Sequence, residues 1–158
     1  GPLINARQLA RVQALVEAGL ADGIQAVARA QLAPEAPAGG FYFAPLLLDG
    51  VPPDHAIAQQ ELFGPVLAAQ RFHTEDEAVA LANDSPYGLG AGLWTAQLAR
   101  AHRVSRRLRA GLVWVNCYFD GDITVPFGGV KQSGFGRDKS LHALDKYSDF
   151  KTTWINLL

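Results

Sequence analysis

One cysteine and four histidines are the residues of this chain best suited to covalent or metal chemistry. A reactive thiolate needs a cation, a base or a helix N-terminus beside it. Cys117 is instead followed closely by Asp120 and Asp122, and nearby carboxylates disfavour a thiolate. We therefore interpret Cys117 as a small buried apolar side chain and not as a nucleophile.

The histidines do not have the spacing of a metal site. They are scattered along the chain and have no cysteine partners; they are His55, His73, His102 and His142. Paired ligands a few residues apart are typical of structural zinc sites. We predict no metal centre.

Two other segments carry side chains that could form a binding site. QELFGPV places Glu61 and Phe63 beside a Gly-Pro turn, although composition alone makes Glu61 a surface charge. VPFGGVKQSGFGRDK, residues 125–139, contains four glycines, which would let a backbone approach an anion closely. However, Phe135 and Gly136 stand where a phosphate loop requires Lys and then Ser or Thr. The loop is thus not predicted to hold phosphate, and its phenylalanines are equally compatible with core packing.

Bulk composition narrows the class of protein. The chain has 158 residues, of which 49% are hydrophobic, and a net charge of −1. These values predict one globular domain with a real core and argue against nucleic-acid or membrane-surface binding. The arginines of residues 100–109 are interpreted as a solvated helix face. A single cysteine excludes an internal disulfide, and no apolar run is long enough for a membrane span, so a cytoplasmic setting is expected.

The pattern of elements predicts an α/β fold. Helices are expected after the capping boxes Asn5–Gln8 and Thr74–Glu77, and after Thr95, with Gly111 closing the third helix. Strands are expected at residues 66–72, 88–94 and 112–116, followed by a short helix at 138–147 and a final strand at 150–157. Strands that alternate with helices favour a mainly parallel sheet flanked by helices.

In order along the chain, GPLI, ELFGPV, LANDSPYGLG, AGLVWVN and PFGGVKQSGFGR resemble the C-terminal part of the NAD(P)-dependent aldehyde dehydrogenases. The resemblance covers nearly the whole chain. DGDITVPFGG and GRDKSLHALDKY look most like the branch that acts on γ-glutamyl-aminobutyraldehyde and related amino-aldehydes. The chain begins with Gly-Pro and contains no methionine, which we interpret as the mark of an excised segment.

The resemblance implies oxidation of an aldehyde, an amino-aldehyde included, to a carboxylic acid with NAD or NADP as cofactor. The family forms a thiohemiacetal on a cysteine and hydrolyses the thioester with a glutamate base. Both groups would lie upstream of GPLI, so no catalytic residue is expected in this chain, and residues 1–158 alone should be inactive. By position, Glu61 resembles the glutamate that holds the nicotinamide ribose, and Phe63 resembles the aromatic residue beside the nicotinamide.

On the substrate side, the resemblance makes Phe127 a wall of the aldehyde tunnel. Asp120 and Asp122 could attract a substrate ammonium group, while Trp114 shapes the apolar route. The alternative for both aspartates is turn chemistry, because Asp-Gly-Asp suits a tight loop.

The resemblance also implies a division of the chain. Residues 1–148 would be the C-terminal half of the catalytic domain, and residues 149–158 a strand that joins subunits into a dimer or tetramer. An open strand edge that carries Trp154 and Ile155 is a template for association. The alternative is a stand-alone, non-catalytic module that keeps this scaffold and only binds or oligomerises.

Overall fold

The computed structural model describes residues 1–158 and divides them into two compact units, Gly1–Thr74 (unit 1) and Glu75–Leu158 (unit 2). Unit 1 contains α1 (Ala6–Ala21), β1 (Gln25–Arg29), β2 (Leu46–Asp49), α2 (Ala56–Gln59) and β3 (Val66–Ala68). Unit 2 contains α3 (Glu75–Asn83), β4 (Gly90–Leu93), α4 (Leu98–Arg107) and β5 (Leu112–Val115). Two 3₁₀ turns follow β5, at Lys131–Ser133 and Leu141–Lys146.

Helix α1 begins where its sequence predicts. The Asn5 side chain accepts a hydrogen bond of 2.9 Å from the Gln8 backbone N–H, which satisfies one free donor of the first turn. Val12 and Val16 are buried on one face of the helix. The Gln8 side chain does not reach back to close the predicted capping box; it donates to the Leu62 carbonyl instead.

The three strands of unit 1 form one sheet in the order β1-β2-β3. β2 and β3 run parallel, whereas β1 pairs antiparallel with β2. β1 was not predicted, because all five of its side chains are exposed and its sequence shows no apolar alternation. The core of this unit consists of eight buried residues that come from α1, α2, the sheet and the loops: Val12, Val16, Ile24, Leu46, Leu48, Val51, Ile57 and Leu62.

Unit 2 has a smaller sheet of its own. β4 and β5 are parallel, with Gly90 opposite Leu112 and Leu93 opposite Val115, and α4 provides the connection between them. The buried apolar side chains here are Val79 and Ala101. The expectation of one mainly parallel sheet is therefore corrected: the strands form two small sheets, and β1 adds an antiparallel pair because its link to β2 contains no crossover helix.

Polar contacts join α3 to α4. Arg103 donates to both carboxylate oxygens of Glu75, at 2.6 and 2.7 Å. These bonds hold the pKa of Glu75 below its usual range, and the charges of Arg103 and Arg100 act in the same direction. The arginine face of α4 is thus partly engaged with α3.

Three predicted boundaries differ from the structure. Thr95 does not cap α4: its hydroxyl accepts from the Gln97 N–H, and the helix begins only at Leu98. Gly111 does not close α4, which ends at Arg107; a Cβ at Gly111 would instead overlap the carbonyl oxygen of Gly128. The helix predicted at 138–147 is a 3₁₀ turn that starts at Leu141, because Lys139 and Ser140 have left-handed φ angles of 58° and 51°.

Residues 149–158 contain neither helix nor strand in the single chain. Phe150, Trp154 and Ile155 are exposed there. The predicted strand requires a partner edge, so it stays a prediction. No helix has the length and apolar character needed to cross a membrane.

Candidate functional site

A cavity of about 550 Å³ in unit 2 brings together the three residues predicted for the substrate side, Asp120, Asp122 and Phe127. We call it the Trp114 cavity. Residues 111–114 of the β5 region form one part of its lining, and residues 119–122 and 125–127 form another. Arg137 and Lys139 complete the lining, and neither was singled out from the sequence. A cleft of this size and mixed polarity is typical of a small-molecule site.

Main-chain pairing fixes Phe127 in the wall of this cavity. Phe127 and Asp138 exchange two backbone hydrogen bonds, at 2.8 and 2.6 Å, as an antiparallel bridge. Arg137 donates to the carbonyls of Gly129 and Gly136 and so ties the two arms of the loop together. The Phe127 side chain is half-buried.

The glycines of the loop permit close contact between main chains. A side chain at Gly128 would bring a Cβ within 2.6 Å of the Gly136 carbonyl oxygen. One at Gly129 would come equally close to the Ser133 side chain, at 2.6 Å. Gly134 and Gly136 also have positive φ angles of 112° and 76°. The loop therefore uses Gly128 and Gly129 for close packing, and Gly134 and Gly136 for backbone conformations that favour glycine.

The loop is anchored to the turn that follows α3. The Lys131 ammonium donates to the carbonyls of Asn83 and Ser85, both at 2.9 Å. The Gly88 N–H donates to the Ser133 hydroxyl at 3.0 Å. Lys131 thus acts as a clamp, and sequence reasoning missed it because a lysine in a glycine-rich loop gives no signal of its carbonyl partners.

Both aspartates of the cavity accept hydrogen bonds within the loop, and Asp122 begins a turn with Val125. Asp122 accepts from the backbone N–H of Thr124 at 2.7 Å and from its hydroxyl at 2.5 Å. The Thr124 hydroxyl, the Thr124 N–H and the charge of Lys139 hold the pKa of Asp122 below its usual range. The Asp120 carboxylate accepts from the Gly121 N–H at 2.8 Å. The turn chemistry considered as an alternative is present, and both groups also line the cavity.

Aromatic side chains cluster beside the aspartates. The Trp114 indole N–H donates to the Asp120 carbonyl at 2.6 Å. The Trp114 ring lies 5.1 Å from that of Tyr118 and 6.2 Å from that of Phe119. Tyr118 and Phe119 were not predicted as site residues, although their adjacency after β5 was visible in the sequence. Cys117, which precedes them, is a half-buried free thiol, and no group of potential ligands is placed to hold a metal ion.

In unit 1, residues 61–64 form a sharp bend that presents Glu61 and Phe63 outward. We call it the Glu61 bend. Both side chains are exposed, Phe63 to 71%, and Phe63 has a left-handed φ of 56°. Leu62 between them is buried in the core. This alternation leaves a carboxylate and an aromatic ring free to contact a ligand.

Side chains of helix α1 hold the Glu61 bend by donating hydrogen bonds to the carbonyl groups of the bend. Arg11 donates to the carbonyls of Glu61 and Leu62, both at 3.0 Å. Gln8 donates to those of Leu62 and Phe63, at 2.7 and 3.2 Å. A Cβ at Gly64 would lie 2.9 Å from Val12, so the bend also packs tightly on the helix. The contacts of Gln8 and Arg11 with the bend were not predicted, because their partners are about 50 residues away.

The model of the aldehyde dehydrogenase family matches residues 1–153. This chain belongs to that family. It is 60% identical to the NADP/NAD-dependent aldehyde dehydrogenase PuuC of Escherichia coli over 113 residues, which are 72% of this chain and 23% of PuuC. It is 50% identical to an aminoacetaldehyde dehydrogenase of Pseudomonas aeruginosa over 118 residues, 74% of this chain and 24% of that protein.

Among solved structures, the chain is similar to the P. syringae indole-3-acetaldehyde dehydrogenase AldA in complex with NAD+ and IAA. The TM-score is 0.90 at 52% identity, over 99% of this chain and 32% of that one. The family match confirms the predicted family, and the similarity to PuuC and to the aminoacetaldehyde dehydrogenase supports the predicted amino-aldehyde branch. The chain spans about a quarter to a third of the length of these relatives.

Proposed function

We propose that this chain is the C-terminal part of an NAD(P)-dependent enzyme that oxidises amino-aldehydes to carboxylic acids. The observation that carries the proposal is the Trp114 cavity, whose lining combines two aspartates with aromatic side chains. An alkyl chain would pack against Phe127 and Trp114, and an ammonium group would be attracted by Asp120 and Asp122. The names of the relatives, aminoacetaldehyde dehydrogenase among them, support this substrate class.

The Glu61 bend suits the cofactor implied by the family. NAD(P)+ would supply the acceptor for the aldehyde hydride. An exposed carboxylate on a rigid backbone can accept hydrogen bonds from two vicinal hydroxyls, which fits the role proposed for Glu61 at the nicotinamide ribose. The exposed Phe63 ring offers an apolar face for the nicotinamide. The residues present therefore fit the group.

The overall reaction converts an aldehyde, water and NAD(P)+ into a carboxylate, NAD(P)H and two protons. In this proposal, unit 2 binds the substrate tail and unit 1 orients the cofactor. The nucleophilic cysteine and the base would come from the remainder of the protein, so residues 1–158 alone would be inactive.

The proposal is tested with the full-length protein. It is incubated with NAD+ or NADP+ and a panel of amino-aldehydes and neutral aldehydes, and the absorbance of the reduced nicotinamide is followed. Turnover in the full-length protein and none in residues 1–158 is expected. Absence of turnover in the full-length protein would favour a non-catalytic module, and turnover by residues 1–158 that Cys117→Ser abolishes would reassign the nucleophile.

We further propose that residues 149–158 pair with a second copy of the protein. The apolar side chains Phe150, Trp154 and Ile155 are exposed in the single chain, and burial of such surface drives association. Sedimentation of the full-length protein should give a dimer or tetramer, and removal of residues 149–158 should give a smaller species. Identical sedimentation of both forms would exclude this segment as the assembly element.

A further inference from the structure

Lys139 is an exposed cation in the lining of the Trp114 cavity. Its ammonium nitrogen lies 5.5 Å from the centre of the Phe127 ring, within the range of a cation–π contact. The hydrogen bonds between Phe127 and Asp138 set this position, because Lys139 directly follows Asp138. Lys139 also has a left-handed φ of 58°, a conformation that costs energy for a residue with a side chain. The backbone therefore places the main chain of Lys139 beside Phe127, and its side chain reaches the Phe127 ring.

The Lys139 charge acts on Asp122, one of the two carboxylates that would receive a substrate ammonium. Asp122 and Asp120 line the cavity together with Lys139. Besides the two hydrogen bonds from Thr124, the charge of Lys139 contributes to the lowered pKa of Asp122, so its field reaches that carboxylate. A second cation in this space would find part of the negative field already compensated.

Arg137, the other cation in the cavity lining, is bound to main-chain carbonyls of the loop. Arg137 lines the same space, but its guanidinium donates to the carbonyls of Gly129 and Gly136 at 2.9 and 2.7 Å. No hydrogen bond of this kind fixes Lys139, which rests on a ring face. Lys139 is thus the cation whose charge a substrate would meet on Phe127.

We propose that Lys139 is a specificity-determining residue: a resident cation that competes with the ammonium group of an amino-aldehyde for the Phe127 face and for the field of Asp120 and Asp122. This inference rests on the proposed function. The preference of the enzyme for cationic over neutral aldehydes is then set by the balance between two carboxylates and one built-in ammonium. Lys139 weakens that preference, so that kcat/KM for neutral aldehydes stays closer to kcat/KM for amino-aldehydes.

The test compares Lys139→Met and Lys139→Arg in the full-length protein. For each, kcat/KM is measured for an ω-amino-aldehyde and for its neutral alkyl isostere. Lys139→Met should raise the ratio of the two values about two- to five-fold, as expected for the loss of one exposed cationic competitor. Lys139→Arg should keep the wild-type ratio, and high salt should shrink the difference.

Arg7→Met is the control, because it removes one positive charge from an exposed position of α1, outside the cavity lining. A ratio that is unchanged in Lys139→Met, or raised equally in Arg7→Met, would overturn the inference. If the full-length protein oxidises no aldehyde, the proposed function fails, and butylammonium is titrated onto the protein by calorimetry instead. Tighter binding to Lys139→Met than to wild type would still support competition for the cavity, and equal affinity would refute it.

Discussion

The two candidate binding regions are built in different ways. The Glu61 bend is held by the core of unit 1, where Leu62 is buried and α1 donates four hydrogen bonds to three consecutive carbonyls. The Trp114 cavity lies in a unit whose buried apolar side chains are only Val79 and Ala101. Its walls depend on main-chain pairs, glycine contacts and the Lys131 clamp.

From this difference we expect the two regions to respond differently to mutation. Apolar packing around the Glu61 bend is distributed over eight buried residues, so the bend should be rigid as long as that core is intact. The cavity loop combines left-handed residues with exposed hydrogen bonds, features of segments that open locally at low energetic cost. In the proposed function, the rigid region would be the one that orients the cofactor, and the adaptable region the one that receives the aldehyde.

The first prediction concerns the stability of the core that supports the Glu61 bend. Leu48 is fully buried in the central strand of the unit 1 sheet, so Leu48→Ala should lower the free energy of unfolding by about 2–5 kcal/mol. Leu67→Ala on β3 is the matched control, since Leu67 is 66% exposed and surface truncations usually stay within about 0.5 kcal/mol. Denaturant unfolding measures both. Equal losses would contradict the assignment of the core.

The Lys131 clamp should matter more for the cavity than any single apolar contact there. Lys131→Met removes two charge-assisted hydrogen bonds to the carbonyls of Asn83 and Ser85, together worth about 1.5–3 kcal/mol. Hydrogen exchange at residues 86–88 and 130–133 should accelerate about tenfold or more. Arg7→Met, at an exposed position of α1, serves as the charge-matched control. Unchanged exchange in Lys131→Met would show that the loop is held by other contacts.

A charge change on the Glu61 bend should affect the cofactor and leave the fold intact. Glu61→Gln keeps the shape of the exposed side chain and removes the charge that would strengthen hydrogen bonds to ribose hydroxyls. Hydride transfer in a single turnover should slow about tenfold, while acylation by the aldehyde continues. Glu17→Gln, an exposed change on α1, is the control. A wild-type rate of hydride transfer in Glu61→Gln would remove the cofactor role.

Much of the architecture could be predicted from local sequence signals. The Asn5 cap, the strands β4 and β5 and the apolar face of α1 all follow from patterns a few residues long. β1 could not be predicted, because its exposed side chains carry no periodic signal and only its pairing with β2 defines it. The roles predicted for Thr95 and Gly111 were wrong for a similar reason. A glycine that closes a helix and a glycine that packs against a distant main chain have the same local sequence signal.

The candidate site shows the same limit. Asp120, Asp122 and Phe127 were named from the resemblance, and they do line one cavity. Four further residues were not predicted to support the site: Gln8, Arg11, Lys131 and Lys139. The first three donate to carbonyls that are about 45 to 55 residues away in sequence. Lys139 contacts the Phe127 ring from a position with a left-handed φ angle. The partners of long polar side chains are set by the tertiary fold, and a local sequence pattern does not indicate them.

The most direct test concerns the carboxylates of the Trp114 cavity in the full-length enzyme. At pH 7, kcat/KM is measured for an ω-amino-aldehyde and its neutral isostere in wild type, Asp120→Asn and Asp122→Asn. Because hydrogen bonds from Thr124 lower the pKa of Asp122, its carboxylate stays ionised at neutral pH, and its attraction for a cation would be lost only as the pH falls through that lowered value. We predict that each substitution costs the amino-aldehyde about two- to five-fold more than the isostere. Equal losses for both substrates would contradict the proposal that this cavity selects amino-aldehydes by charge.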